Sequence, residues 1–470
     1  MTPKAVDLFA GIGGFHAALS AMKIETIYAS EWDSAAAATY ATNWKIQPKG
    51  DITELANDER MDVPAHQVLT GGFPCQPFSK SGKQKGESES RGTLFWNIEQ
   101  IIIKRHPKIV LLENVRNLAG PKHLDTFNKI ISILKREGYL VSSEPLIVSP
   151  HKIHPKFGGS PQIRERLFIA ATLADSKALV NDKSDVAQLD LSHLTDKWNP
   201  QNWNLSDFLG LNKSDKPSTV RVQKSVVPAT VSEQNAKIRL PKDVSQSSHI
   251  NDLALSSEEI AWIEAWDKFV QLIRASNKPI PGFPLWSQYW GVDAPMKIQG
   301  SDPSWKKAFI LKNTEFYAKN EDVLSGWLEK SGVRNFPPTR QKFEWQAQDE
   351  TSLWKCIMHF RPSGIRAKKA TYVPTLVAIN QTTVYGPGRR RLSVSECAKL
   401  QQMPQWFDFA HQSPAATYKQ LGNGVNVAVV YHVLKALVTR DQEHFKGQHL
   451  ELKNLILDSP DRPSVKKPKQ

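Results

Sequence analysis

Apolar residues come in short runs separated by amphipathic stretches through the first part of the chain. Ala5-Val6-Asp7-Leu8-Phe9 is the first run; a glycine-rich turn follows, then a helix-like stretch to about Met22. Residues 26–30, 68–71, 109–112 and 167–171 read as further strands, with helical periodicity over 95–104 and 124–137 between them. Strands and helices alternating at this spacing predict an α/β fold, a doubly wound and mainly parallel sheet. From about 175 to 388 the pattern becomes irregular and polar, rich in Pro, Asn, Ser and Trp. Its one clear amphipathic helix covers 257–273, where Ile260, Ile263, Trp266, Val270 and Ile273 share a face and Ser256 with Glu259 offers a capping box. After Arg389-Arg390-Arg391 the regular pattern returns, with helices over 395–402 and 425–438.

These shifts divide the chain into 1–173, 174–388, 389–445 and a C-terminal extension, 446–470. The middle segment holds ten of the fourteen Trp residues, which predicts a folded second domain rather than a linker. Residues 459–470 combine three prolines with Lys466, Lys467 and Lys469 and read as a disordered basic tail. At 470 residues and 40% apolar content, the chain is long enough for two or three domains. No leader-like start and no long apolar run is present, so no membrane association is expected. Cys75, Cys356 and Cys397 are far apart, with no Cys/His cluster spaced for zinc, so no metal is expected. The net charge of +14 suits a polyanionic partner such as nucleic acid, or serves solubility alone.

Candidate chemistry begins at Asp7-Leu8-Phe9-Ala10-Gly11-Ile12-Gly13-Gly14-Phe15, where glycines between strand and helix let the backbone approach a ligand. The same glycines would also serve a packing turn. Glu31 ends the second strand, where a carboxylate can accept from both ribose hydroxyls, and Trp32 beside it can cover an adenine. Asp51-Ile52 is placed to meet an adenine amino group. Together these turns point to an adenosine-containing cofactor, with NAD and S-adenosylmethionine both open. The spacing departs from GxGxxG and no basic residue awaits a pyrophosphate at the first turn, which favours a cofactor without phosphates.

Gly72-Phe73-Pro74-Cys75-Gln76-Pro77 holds a cysteine between prolines after an apolar strand, a setting for a nucleophile. Cys356 and Cys397 lack such a setting and read as small buried apolar residues.

With this motif the chain resembles the DNA (cytosine-5)-methyltransferases, and the ordered set of that family's motifs continues. Arg91-Gly92-Thr93-Leu94-Phe95, Glu113-Asn114-Val115 and Gln162-Ile163-Arg164-Glu165-Arg166 come next. Arg391-Leu392-Ser393-Val394-Ser395-Glu396-Cys397-Ala398 and Gln420-Leu421-Gly422-Asn423-Gly424-Val425 complete it. The motif-bearing parts, 4–171 and 389–440, make up about half the chain.

The resemblance implies a Rossmann-like methyltransferase domain, with 174–388 a smaller, mostly irregular target-recognition domain. It implies S-adenosylmethionine held by Phe9, Gly11, Ile12, Gly13, Gly14, Glu31, Trp32, Asp51, Ile52, Pro74, Leu94, Asn423 and Val425. Cys75 would add to carbon 6 of a flipped cytosine, because carbon 5 is a poor nucleophile until the ring is so activated. Glu113 would hold ring nitrogen 3; as a plain strand-end residue it could instead cap a helix. Asn114 would brace the nucleophile loop. Arg164 and Arg166 point the same way if the strand begins there, and by resemblance Arg164 contacts the base while Arg166 supports the thiolate loop.

Ser81 and Lys83 belong to a basic loop suited to closing over DNA, or to a surface loop serving only solubility. Arg361 and Arg366 are candidate DNA contacts, to base edges or to phosphates. The implied partners are double-stranded DNA and a cognate restriction endonuclease, with the protein a monomer in the cytoplasm of a prokaryote, near the nucleoid. An RNA cytosine methyltransferase, a non-catalytic DNA-binding protein and a nicotinamide dehydrogenase are the competing readings. The dehydrogenase gives no account of Cys75.

Overall fold

Alternating strands and helices at the N-terminus produce a sheet that places four strand ends around one cleft. The computed structural model describes residues 2–57, 59–74, 94–175, 186–195, 198–210, 253–291, 298–376, 383–409 and 411–468. The chain forms two compact units: Met1–Phe208 with Thr371–Asn380 and Val394–Gln470, and Leu209–Ala370 with Gln381–Ser393.

The first unit holds a seven-stranded mixed sheet, β1 (Lys4–Leu8), β2 (Glu25–Ser30), β3 (Val68–Gly72), β4 (Ile109–Val115), β5 (Tyr139–Val141), β6 (Leu146–Val148) and β7 (Arg166–Leu173). The order is β2-β1-β3-β4-β7-β5, with β6 also beside β7. β1 to β4 pair in parallel, and β7 runs antiparallel to β4, β5 and β6. This is the doubly wound sheet expected from the sequence, closed on one side by antiparallel strands. Ile109, Val110, Leu111 and Leu112 are wholly buried, which is why β4 reads as a continuous apolar run rather than an alternating one.

Helices α1 (Gly14–Ala21), α2 (Ser34–Trp44), α3 (Ile52–Leu55), α4 (Leu94–Arg105) and α5 (Leu124–Arg136) follow in turn. Phe127, Ile130, Ile131 and Leu134 of α5 lie in one core with Ile98, Ile101 and Ile102 of α4 and with β1, β3, β4 and β7. The helix Val427–Arg440 packs against α1 and β7. Being enclosed on nearly all sides, it is apolar nearly all round.

Three features of this unit depart from the sequence expectation. The segment following residue 185 returns to it: the Trp203 indole N–H donates to the His151 carbonyl at 2.8 Å, and Trp203 packs edge-on to Trp198. Residues 371–376 also belong here, Val373 bridging to Gln162. Most clearly, the C-terminal segment is ordered. The Tyr431 hydroxyl donates to the Pro460 carbonyl at 2.6 Å and the Trp406 indole to the Val465 carbonyl at 2.9 Å. Proline and lysine composition signals solvation, but it says nothing of backbone carbonyls taken up by side chains of a folded neighbour.

The second unit carries β8 (Leu285–Trp286), β9 (Lys342–Gln346), β10 (Cys356–Arg361), β11 (Gly364–Lys369), β12 (Val384–Tyr385) and β13 (Arg390–Arg391), ordered β13-β12-β10-β11-β9-β8. Helices Ser257–Ala275, Ser304–Ala318 and Glu321–Lys330 belong to it. A region expected to be mostly irregular therefore contains a sheet; three of its strands are only two residues long, too short for any alternation to register. The tryptophans explain its cohesion: Trp266 stacks on Phe343 at 4.8 Å, and Trp290 and Trp327 pack around them. The buried indoles are satisfied, Trp266 by the Arg340 carbonyl at 2.9 Å and Trp327 by that of Ala265 at 2.8 Å.

Candidate active site

The turn after β1 owes its shape to positive φ angles at Phe9 (52°), Gly11 (54°) and Gly13 (89°). Glu31 holds this turn from the neighbouring strand end: its carboxylate accepts from the Gly11 N–H at 2.7 Å and from the Asp33 N–H at 2.8 Å. Burial raises its pKa, opposed by these amides. Trp32 beside it stands 81% exposed. The Asp51 carboxylate caps α3 through the Thr53 N–H at 2.9 Å, leaving its second oxygen free of that bond.

A cleft of about 740 Å³ opens here, lined by eleven of the thirteen residues expected to hold the cofactor: Phe9, Gly11, Gly14, Glu31, Trp32, Asp51, Ile52, Pro74, Leu94, Asn423 and Val425. Its volume is that of a small-molecule site. Ile12 and Gly13 stand apart from its lining. The Ile12 carbonyl accepts from the Trp44 indole at 3.0 Å, and a Cβ on Gly13 would lie 2.2 Å from that indole nitrogen. Their work is to seat the turn on Trp44.

The same cleft is lined by Glu113 and Arg166. Glu113 sits on β4 directly across from Gly72 of β3, where the missing side chain leaves its carboxylate room. Arg166 opens β7 opposite Val115, and its Nε lies 2.9 Å from Glu113 Oε1. Burial drives the Glu113 pKa up, against the opposing pull of Arg164 and Arg166. Asn114 donates from Nδ2 to the Phe73 carbonyl at 2.8 Å, fixing the strand end two residues before Cys75. Cys75 itself, with Ser81 and Lys83, lies outside the described residues.

Arg164 is not at the cleft surface. It is 2% exposed, and its Nη2 donates to the carbonyls of Gly422 at 3.0 Å and Gly424 at 2.6 Å. Burial and the neighbouring Arg166 push its pKa down to about 9, while Glu113 opposes them. The two arginines therefore do not point the same way: Arg166 lines the cleft and Arg164 is buried behind it. Alternation along the strand does not continue through Arg164, which precedes β7 and whose N–H goes to the Ser149 hydroxyl at 2.9 Å.

Arg361 and Arg366 lie in the second unit, on β10 and β11. Cys356 and Cys397 are buried, and burial pushes the Cys356 thiol up to about 12, as suits apolar fillers rather than nucleophiles. Two residues lining the cleft carried no local signal. Lys419 donates to Asp33 at 3.1 Å, a contact between positions far apart in sequence.

Residues 3–439 match the family model of C-5 cytosine-specific DNA methylases. The chain belongs to this family. As a member it is a DNA (cytosine-5-)-methyltransferase. It is 40% identical to the Type II methyltransferase M.AluI of Cellulosimicrobium cellulans over 535 aligned residues, covering 97% of this chain and 96% of that protein. To M.BanI of Aneurinibacillus aneurinilyticus it is 29% identical over 476 residues, covering 97% of this chain and all of the relative. M.HhaI of Haemophilus parahaemolyticus is 39% identical over 166 residues, 35% of this chain and 48% of that protein. The family match ends at residue 439, while this methylase continues through the helix Leu450–Leu457 and the ordered segment beyond it.

Proposed function

We propose that this methylase transfers a methyl group from S-adenosylmethionine to carbon 5 of a cytosine flipped out of a specific double-stranded DNA site, through a Cys75 adduct at carbon 6. The observation that carries this reading is the Glu113–Arg166 ion pair lining the same cleft as Glu31, Trp32 and Pro74.

The cleft suits an adenosine without phosphates. Glu31 offers carboxylate oxygens to ribose hydroxyls, and Trp32, Ile52 and Phe9 offer faces and edges to a base. Among the described residues the cations lining it, Arg166 and Lys419, are paired with Glu113 and Asp33, which disfavours a pyrophosphate there. S-adenosylmethionine, when bound, supplies an electrophilic methyl group.

The protein's own residues then divide the work. The Cys75 thiolate forms a bond to carbon 6, and the electron pair released from the ring double bond is drawn toward nitrogen 3, where the Glu113 carboxyl donates a hydrogen bond or its proton. Arg166 holds the cytosine carbonyl oxygen and orients Glu113 through their ion pair. Asn114 keeps the strand end that carries Cys75 in register with Glu113. Carbon 5 then takes the methyl group, a water accepts the carbon 5 proton, and expulsion of the Cys75 sulfur, with any proton on nitrogen 3 returning to Glu113, restores the aromatic ring. The base must leave the stack for any of this to occur. The Type II methyltransferases among its relatives support a role in protecting DNA beside a cognate restriction endonuclease. The protein would act as a monomer in a prokaryotic cytoplasm.

The test incubates the purified protein with S-adenosylmethionine and unmethylated genomic DNA and maps 5-methylcytosine at single-base resolution, with Cys75→Ala in parallel. Methylation at one short recurring site, absent in the variant, is the expected result. A folded wild type that binds cofactor and DNA yet modifies no cytosine would overturn it.

A further inference from the structure

The turn after β1 is held from behind by aromatic rings that lead to the C-terminal segment. Phe9, Gly11 and Gly13 all have positive φ angles, and Phe9 does so as a non-glycine residue, so the turn depends on outside support. Trp44, the last residue of α2, supplies it. Its indole N–H donates to the Ile12 carbonyl at 3.0 Å, and its ring lies against the bare Cα of Gly13. Two further rings fix Trp44: His16 of α1 stacks on it with centroids 4.1 Å apart, and Trp406 meets it edge-on at 5.2 Å.

Trp406 begins a short segment docked on α2. The Asp408 N–H donates to Asn43 Oδ1 at 2.7 Å, the Asp408 carbonyl accepts from Asn43 Nδ2 at 2.9 Å, and Phe407 packs on Trp44 at 5.8 Å. The Trp406 indole N–H donates to the Val465 carbonyl at 2.9 Å. Val465 belongs to the extension beyond residue 439, where the family match ends. That extension is anchored before it reaches Trp406. From the helix Val427–Arg440, Lys435 donates to the Ser459 carbonyl and Tyr431 to the Pro460 carbonyl, each at 2.6 Å. Arg462 and Pro463 then pass over Gly158, where an added Cβ would lie 3.5 Å from the one and 3.4 Å from the other.

We propose that Trp406 is a positioning residue for the cofactor, and that the C-terminal segment, through the Val465 carbonyl, sets its orientation and so the shape of the turn that receives S-adenosylmethionine. The proposal rests on the methylase reading, which puts that cofactor in the cleft, and goes beyond it. Edge-on packing is directional, so the Trp406 ring supports Trp44 only at one rotation. Asn43 fixes the backbone of the 406–408 segment; the bond to Val465 fixes the rotation of the indole. Without that bond the Trp44 ring tilts, and Gly13, lying against it, follows. The effect falls on cofactor binding because Gly11 and Gly14 of the same turn line the cleft. Glu113 and Arg166 belong to β4 and β7 and not to the turn, so the chemical step is spared.

The experiment uses the full-length protein and measures affinity for S-adenosylmethionine by calorimetry, kcat at saturating cofactor, and hydrogen exchange of the amides of residues 10–17 without cofactor. The variants are Trp406→Phe, which keeps a ring beside Trp44 but cannot donate to Val465, and Trp406→Leu, which loses both. Tyr139→Phe is the control, because it deletes a buried bond to the Pro107 carbonyl, 2.7 Å long, on β5 at the opposite edge of the sheet from β2. Trp406→Phe should weaken cofactor binding about threefold and Trp406→Leu about tenfold, losses on the scale of one hydrogen bond. Both should speed exchange at the turn and leave kcat near the wild-type value. The control should lose melting temperature yet keep wild-type affinity and exchange, which separates a loosened turn from general damage. Should Trp406→Leu fail to fold, Trp406→Phe carries the same comparison. Wild-type affinity in Trp406→Phe, or an equal loss in Tyr139→Phe, would overturn this role and leave the methylase reading intact. A wild type that binds no S-adenosylmethionine would overturn the methylase reading and this role with it.

Discussion

The Arg164 guanidinium donates to the Gly424 carbonyl at 2.6 Å, tying the residue just before β7 to the loop that lines the cleft beside Val425. A buried cation bonded to two carbonyls is worth about 1.5–3 kcal/mol per bond. Arg164→Lys keeps the charge and loses the fork. It should weaken S-adenosylmethionine binding about tenfold, which is about 1.4 kcal/mol, with little change in kcat at saturating cofactor. Arg166→Lys should do the reverse, lowering kcat roughly a hundredfold with cofactor affinity nearly intact. Calorimetric cofactor titration beside single-turnover kinetics separates the two; equal effects of both variants on both quantities would refute the division of labour.

Glu113 has its pKa raised chiefly by burial. A carboxyl that must present a proton to nitrogen 3 is active below its pKa, so activity falls as pH rises through that raised value. Thiolate formation at Cys75 pulls the other way, and the product is a bell-shaped profile. Glu113→Gln should cost roughly 10²–10⁴ in kcat and remove the alkaline limb. Persistence of that limb in the variant would assign it to another group.

Gly13 combines a φ of 89° with a would-be Cβ 2.2 Å from the Trp44 indole nitrogen. Gly13→Ala must displace Trp44, whose ring also stacks on His16 at 4.1 Å. Strain at such a position costs about 1–3 kcal/mol. We expect a lower melting temperature together with weaker cofactor binding. Gly11→Ala, with open space around it but a φ of 54°, should cost less.

His16, His66, His151 and His432 of the first unit are held neutral by burial, with pKa values about 3 for His16 and about 4 for the others. The unfolded chain takes up these protons near pH 6.5 and the folded chain does not. Stability is therefore full above pH 6.5 and falls as pH drops toward 4, by up to about 1.4 kcal/mol per pH unit for each histidine. Melting temperatures should hold from pH 7.5 to about 6.5 and fall from there to pH 5, less so in His16→Gln. A flat curve would contradict the burial of these rings.

The ordered C-terminal segment offers a further check. Ending the chain after Asp458 removes the acceptors for Tyr431, Lys435 and Trp406. At about 1 kcal/mol for each bond, this should destabilise the first unit by about 2–4 kcal/mol in a denaturant titration. A disordered tail would cost nothing.

Much of the first unit was legible because its signals are local. The apolar run of β4, the glycine turn and the stripe on α5 lie within windows shorter than one element, and burial on both faces of a parallel sheet writes itself into composition. α2 was not legible. Its alanine run has no apolar stripe, and it begins where Asp33 accepts from the Ala35 and Ala36 amides. The sheet of the second unit was hidden for a related reason, since strands two residues long are defined by their neighbours rather than by their own sequence.

The amino-acid order alone pointed to the fold class and the family and marked eleven of the thirteen cofactor candidates that line the cleft, because each motif pairs a backbone requirement with a reactive side chain over a few positions. Tertiary structure alone assigned Arg166 to the cleft and Arg164 to its wall, joined Lys419 to Asp33, and returned residues 186–208 and 371–376 to the first unit. Two side chains a residue apart carry the same local pattern whichever of them is enclosed. What separates them is the set of carbonyls and carboxylates that folding brings near from elsewhere in the chain.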